Sequence, residues 1–211
     1  MIIFGILCVA IGLAGTLYGE MKNLMRWQSI CKPVASGGFL LVAFQGVSGQ
    51  STFSILIVIG LMFSCLGDIF LIGKSKKAFL FGLCSFLLAH LLYSGAFIVN
   101  GFELLPFLYA LLPAGMMTVI VIRWLLPIVD KKMKVPVLAY ISVITLMLLF
   151  ASATCHQQNG RILLSGAMLF TISDLFVARQ RFSKKDSLNR LIGLPLYYLA
   201  QVLFALSLTM H

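Results

Sequence analysis

Phe53-Ser-Ile-Leu-Ile-Val-Ile-Gly-Leu-Met-Phe-Ser-Cys-Leu-Gly-Asp-Ile-Phe-Leu-Ile72 is an unbroken apolar run with a single charge, Asp68, close to its end. About 20 mostly apolar residues are what a bilayer-crossing helix needs. A carboxylate inside such a run is costly, roughly 2.5 to 3.5 kcal/mol at a helix centre, so it marks a functional site by default. The situation recurs once more along the chain, at Asp174 in Met168-Leu-Phe-Thr-Ile-Ser-Asp-Leu-Phe-Val177. The other four carboxylates, Glu20, Glu103, Asp130 and Asp186, fall in polar connections where they stay hydrated.

Working outward from that run, breaks between apolar stretches give eight segments. They are Ile2 to Tyr18, Pro33 to Phe44, Phe53 to Ile72, Ala78 to Val99, Leu105 to Ile122, Val135 to Ala153, Ile162 to Ala178 and Leu191 to Met210. With 61% hydrophobic and 10% charged residues and a mean hydropathy of +1.05, the chain reads as an all-α, polytopic transmembrane bundle of eight helices. Residues 1–211 read as a single integral membrane domain, because no linker or low-complexity tract divides them. The N-terminus lacks the basic region of a cleaved signal peptide, so Ile2 to Tyr18 is expected to be a retained helix.

The net charge of +10 is not a nucleic-acid signature, because of where it sits. Lys22, Arg26 and Lys32 lie in or beside the first connection, and Lys74, Lys76 and Lys77 in the third. Arg123, Lys131, Lys132 and Lys134 lie in the fifth, and Arg179, Arg181, Lys184, Lys185 and Arg190 in the seventh. Only Arg161 belongs to an even-numbered connection. The positive-inside rule then puts the odd connections in the cytoplasm and both termini on the non-cytoplasmic side, in the inner membrane if the cell is bacterial. The expected partners are membrane lipids, with no nucleic acid. Cys8, Cys31, Cys65, Cys84 and Cys155 have no CxxC spacing and read as small core residues.

Superimposing Asp68 on Asp174 pairs Met62 with Met168, Phe70 with Phe176 and Leu71 with Val177, at an offset of half the chain. A parallel four-plus-four repeat would produce this. So would chance matching between apolar helices, and His90 finds only Leu196 as its counterpart.

Each aspartate lies about four residues from the expected cytoplasmic end of its segment, roughly 6 Å at 1.5 Å per residue. Gly60, Ser64 and Gly67 beside Asp68, and Gly166 and Ser173 beside Asp174, allow close helix approach. Two carboxyls sharing a dry site do not both ionise cheaply, which makes the pair an acid and a base. The bland alternative is that each caps or glues a neighbouring helix. His90 shares a helix face with Phe86 and Tyr93, deeper than the aspartates, and reads either as a third polar partner or as a core histidine with one hydrogen bond. Asp68, Asp174 and His90 together make three possible metal ligands, but no HxxxH or ExxH spacing supports a metal site. No metal and no cofactor are expected. Lys32, before Pro33 at the expected start of segment two, and Arg179, beyond Asp174, either snorkel to the headgroups or hold a phosphate diester. Tyr197 and Gln201 share a face of segment eight and either line the same cavity or bind helices together.

The ordered set Lys32-Pro33, Phe63-Ser64-x-x-Gly67-Asp68-x-x-Leu71, Phe79-x-x-Gly82-x-x-x-Phe86-x-x-x-His90-x-x-Tyr93, Gly166-Ala-x-x-Phe170-x-x-Ser173-Asp174 and Gln201 resembles the YhhN-type lysoplasmalogenase family. The resemblance runs from about residue 31 to residue 205. It implies an eight-helix hydrolase that cleaves the vinyl-ether bond of a lysoplasmalogen, or a related lyso-ether lipid, to a fatty aldehyde and a glycerophospho-base. Under that implication Asp68, Asp174 and His90 are catalytic, while Lys32, Arg179, Ser64, Tyr93, Ser173, Tyr197 and Gln201 bind the lysophospholipid. A small proton-coupled transporter or lipid carrier using the same buried acids is the alternative reading.

Overall fold

The computed structural model describes residues 1–47, 51–73 and 75–209. Lys74, Met210 at the expected end of segment eight and the terminal His211 lie outside the described residues. Eight α-helices follow one another: α1 Ile2–Met21, α2 Met25–Gly46, α3 Thr52–Ile72, α4 Lys76–Asn100, α5 Leu104–Leu125, α6 Lys134–Ala153, α7 Gly160–Ala178 and α8 Ser187–Leu206. There is no strand among the described residues. Seven of the helices, all but α2, are long and apolar enough to cross a membrane. The chain is a multi-pass membrane protein.

Local chemistry explains most boundaries. Ser51 and Ser75 cap α3 and α4 by accepting hydrogen bonds from the backbone N–H of Ser54 and Ala78, and the Asp186 carboxylate does the same for Leu188 at α8. Gly101 closes α4 at φ +131°, a conformation that favours glycine. Most helices extend a few residues past the apolar runs, α8 begins at Ser187 rather than Leu191, and α2 departs furthest. α2 begins at Met25, two turns before Pro33, because Arg26, Gln28 and Lys32 interrupt the hydropathy without interrupting the helix. α7 ends at Ala178 as read, and a π-helical turn at Arg179–Ser183 continues it.

α1 packs on α2 so closely that a side chain on Gly12 would meet the Ala35 backbone nitrogen at 2.5 Å, and one on Gly38 would meet the Gly5 carbonyl at 2.7 Å. Small residues allow this, and in lipid, packing of this kind supplies much of the helix association. α2 packs further on α3 and α8, α3 on α4, α4 on α6, α5 on α6, and α7 on α8. The core is aromatic: Phe86, Tyr93, Phe170, Tyr197 and Phe204 are buried in mutual ring contact across three helices, α4, α7 and α8.

The packing has an internal correspondence. α1 on α2, α2 on α3 and α3 on α4 in the first half match α5 on α6, α6 on α7 and α7 on α8 in the second, and α2 on α8 matches α6 on α4. A parallel four-plus-four repeat would give this arrangement, as would successive packing of neighbouring helices; Asp68 and Asp174 stand on the corresponding helices α3 and α7. One contact breaks the match: α1 packs on α8, whereas α5 makes no comparable packing on α4.

The odd connections gather at one end. Glu20 pairs with Arg190 at 3.4 Å and Lys76 with Asp130 at 3.3 Å, and Phe79 meets Phe182 edge-on. At the other end the His156 imidazole and the Gln157 amide donate to the Glu103 carboxylate at 2.9 and 2.8 Å, and Asn159 donates to the Ser207 carbonyl. The His156 hydrogen bond, with help from Gln157, holds the Glu103 carboxyl below its usual carboxylate value.

Candidate active site

Asp68 stands on α3 one turn from its end, 2% exposed. It faces α2, where the Lys32 ammonium lies 3.3 Å from Oδ1 and the Ser36 hydroxyl donates to Oδ2 at 2.7 Å. Lys32 is itself 4% exposed. Because α2 begins before Pro33, Lys32 does not stand at a helix start snorkelling to the headgroups; it is inside the bundle, with its charge compensated on the adjacent helix. A buried ion pair of this kind is held by added hydrogen bonds, here from Ser36.

Asp174 has a different set of neighbours. The Tyr140 hydroxyl of α6 donates to its Oδ2 at 2.6 Å, and His90 Nε2 of α4 stands 3.6 Å from the same oxygen. His90 is fully buried between the Phe170 and Tyr140 rings, and its Nδ1 hydrogen-bonds the Phe86 carbonyl. With Nδ1 as donor, Nε2 is an acceptor in the neutral ring and a donor in the imidazolium. It has no hydrogen-bond partner among the described residues, Asp174 Oδ2 at 3.6 Å being a charge contact rather than a hydrogen bond. His90 and Asp174 therefore face each other, near enough for a small movement to bring them into hydrogen-bond contact. The sequence reading placed His90 deeper than both aspartates; the π-helical extension of α7 removes that gap on one side. Asp174 lies nine residues before Ser183, roughly 12 Å from the helix end and about twice as far in as Asp68.

Both aspartates line one cavity of about 460 Å³, within the usual size of ligand pockets, about 300 to 1,000 Å³. Lys32, Tyr140, Ser173 and Tyr197 share its wall. The end at the odd connections is bounded by Gln28, Arg181, Lys185 and Arg190, and apolar residues of α5 and α6, among them Met117, Val121, Ile141 and Ile144, line its wall. The α5 side of the cavity lies where α5 fails to pack on α4. No group of three or more His, Cys, Asp or Glu placed to hold a metal occurs among the described residues; Asp174 and His90 meet, and Asp68 does not join them as a third ligand.

The remaining expected residues divide. Tyr197 lines the cavity and donates to the Ser64 carbonyl, and Ser173 donates to the Gly193 carbonyl at 2.9 Å. Ser64, Tyr93 and Gln201 form a buried chain behind the wall: the Ser64 and Tyr93 hydroxyls lie 3.1 Å apart, and Tyr93 donates to Gln201 Oε1 at 2.9 Å. This chain ties α3, α4 and α8 together. Arg179 stands outside the lining and donates to Asn189 Oδ1 at 3.0 Å, helping to knit the turn before α8. Tyr140, Ser36, Arg181, Lys185 and Arg190 were not singled out from sequence. For Tyr140 and Ser36 there was no signal, since a tyrosine or serine in an apolar segment is ordinary. The basic residues were counted only as topology.

A model of the YhhN family matches residues 27–208. The chain belongs to the YhhN family. Among its relatives, the cattle protein Lysoplasmalogenase TMEM86A (Bos taurus) is 30% identical over 157 residues, 72% of this chain and 64% of the relative. The pig protein Lysoplasmalogenase TMEM86B (Sus scrofa) is 33% identical over 183 residues, 85% of this chain and 73% of the relative. A Dictyostelium discoideum protein, Lysoplasmalogenase homolog, is 27% identical over 204 residues, 77% of this chain and 65% of the relative. The chain thus spans a little under two thirds of the cattle and Dictyostelium relatives. No solved structure matches. Within this YhhN chain, the matched region takes in every helix that supplies a cavity side chain.

Proposed function

We propose that this YhhN-family protein is a membrane hydrolase that cleaves the vinyl-ether bond of a lysoplasmalogen or a related lyso-ether lipid. The observation that carries the proposal is one cavity walled by two intramembrane aspartates with unlike partners, with basic residues at the odd-connection end and apolar residues of α5 and α6 along its wall. The names of the relatives at about 30% identity support the substrate class.

Hydrolysis of R–CH=CH–O–R′ begins when a proton is delivered to the β-carbon, leaving an oxocarbenium ion. Water adds to the α-carbon and loses a proton. The hemiacetal then breaks its C–O bond to give R–CH2–CHO and HO–R′. The first step needs an acid against a carbon, and the second a fixed anion near the cation and a base for the water. Asp174, facing His90 and hydrogen-bonded by Tyr140, suits the acid. Asp68, held by Lys32 and Ser36, suits the anion that steadies the cation and orients the water. The apolar reach between α5 and α6 takes the alkenyl tail, and the basic end faces the phosphate. The odd connections, where that basic end lies, face the cytoplasm, with both termini on the opposite side and, in a bacterium, the inner membrane as the location.

The test is aldehyde release from a lysoplasmalogen by protein purified in detergent, beside Asp68→Asn and Asp174→Asn. Wild type should release aldehyde stoichiometrically with glycerophospho-base, and each variant should fall at least about 100-fold. Full activity in both variants sinks the mechanism. Uptake of intact lipid into proteoliposomes without aldehyde supports a carrier instead.

A further inference from the structure

We infer that Arg190, with Arg181 and Lys185, forms a seat for a phosphate ester at the cavity mouth, and that this seat recognises the phosphate of the lipid headgroup rather than its base. The inference rests on the preceding reading only for the identity of the reacting chain. All three cations belong to the π-helical turn, the short connection after it and the first turn of α8, and all three line the cavity. The lining at this end contains no carboxylate: Asp68 and Asp174 lie deeper, with Lys32 and with Tyr140 and His90 as their own partners.

Arg190 is the central group. Its Nε is buried without a hydrogen-bond partner among the described residues, and the only anion near it is Glu20 of α1, 3.4 Å from Nε. Glu20 thus fixes the guanidinium at the mouth while satisfying little of its donor fork, which is suited to a bidentate oxyanion. A lysine or arginine that merely snorkels would point away from the cavity toward the headgroup plane; these three wall it.

The base of the headgroup finds no unengaged counterpart in the lining at this end, since Glu20, outside the lining, is paired with Arg190. A quaternary ammonium calls for a carboxylate or an aromatic face. Of the aromatic rings nearest this end, Phe79 already carries the Arg181 guanidinium 4.3 Å above its ring and meets Phe182 edge-on. Asp186, the acid nearest in sequence, is occupied as the α8 cap and lies 3.9 Å from Lys184. Arg179, the basic residue closest to Asp174 in sequence, is bound to Asn189 and plays no part in the seat.

The experiment measures binding, which needs no turnover. Purified protein is titrated with a non-cleavable 1-O-alkyl lysophospholipid, with the matching 1-O-alkylglycerol lacking phosphate, and with chain-free glycerophosphocholine. Wild type should bind the lysophospholipid at least about tenfold more tightly than the alkylglycerol. Arg190→Gln should remove most of that preference without weakening the alkylglycerol, whereas Arg179→Gln should leave it within about twofold. Choline and ethanolamine forms of the lipid should bind alike. If Arg190→Gln does not purify as a folded protein, the Arg181→Gln, Lys185→Gln double variant carries the same readout. Equal wild-type affinity for lipid and alkylglycerol overturns the seat, as does equal loss of both in Arg190→Gln. Chain-free ester binding as tightly as the lipid overturns it too, since the seat would then serve a soluble phosphate. A protein that shows the phosphate preference yet releases no aldehyde from a lysoplasmalogen keeps the seat and loses the hydrolase reading.

Discussion

Removing Lys32 alone would leave the Asp68 carboxylate buried without its cation, and breaking a buried pair from one side costs about 3 to 5 kcal/mol. Lys32→Met should therefore lower the midpoint of thermal unfolding in detergent by several degrees, and Lys32→Met with Asp68→Leu should recover much of the loss while staying inactive. Tyr140 gives a sharper test of the other aspartate. Tyr140→Phe keeps the ring against His90 and removes only the hydrogen bond to Asp174, worth about 1 kcal/mol in stability. Aldehyde release should drop and its pH profile should move, which a purely structural tyrosine would not cause. Sequence alone identified the two aspartates and His90, because a charge in a greasy run is visible without coordinates. It could not identify what each faces. Lys32 read as interfacial because Pro33 suggested a helix start, and Tyr140 and Ser36 are ordinary residues whose role exists only opposite Asp174 and Asp68.

At the scale of the element, α1 and α2 depend on backbone contact. Gly12→Leu drives a branched side chain into the Ala35 backbone and should separate the two helices, lowering the thermal midpoint more than Gly37→Leu, whose Cβ meets nothing. α5 is held differently: it packs on α6, shares the Thr118–Thr145 hydroxyl contact at 2.7 Å and is fastened at its start by Glu103. The Glu103 carboxyl titrates below its usual value in the folded protein, so its clasp contributes above the unfolded carboxylate value and is lost as pH falls through the depressed one. Amide exchange at the start of α5 should speed up across that acidic window, and Glu103→Gln should abolish the pH dependence. Helix number and order were legible in the hydropathy. The start of α2 and the π-helical run after α7 were not, since both are polar stretches kept helical by tertiary partners.

For the whole molecule, the halves correspond except where α5 stands off α4, and the cavity occupies that exception. Filling it from α5 should shorten the tail it accepts: Val121→Trp should cost activity on long-chain lysoplasmalogens while sparing short-chain ones, measured as kcat/KM across a chain series. The side of the membrane is checked by reporter fusions, with a C-terminal periplasm-active reporter expected to work and a cytoplasm-active one to fail. The duplicated arrangement was faintly legible as the offset between the aspartates, and the broken contact was invisible because it is a missing interface. That missing interface also sets how the protein experiences concentration. Two helices that do not pack on each other leave the cavity between them, so a substrate dissolved in the bilayer is expected to arrive by two-dimensional diffusion and to be counted per unit of membrane rather than per litre. Diluting a lysoplasmalogen with inert phospholipid in vesicles, at constant total amount in the tube, should slow turnover in proportion to its mole fraction.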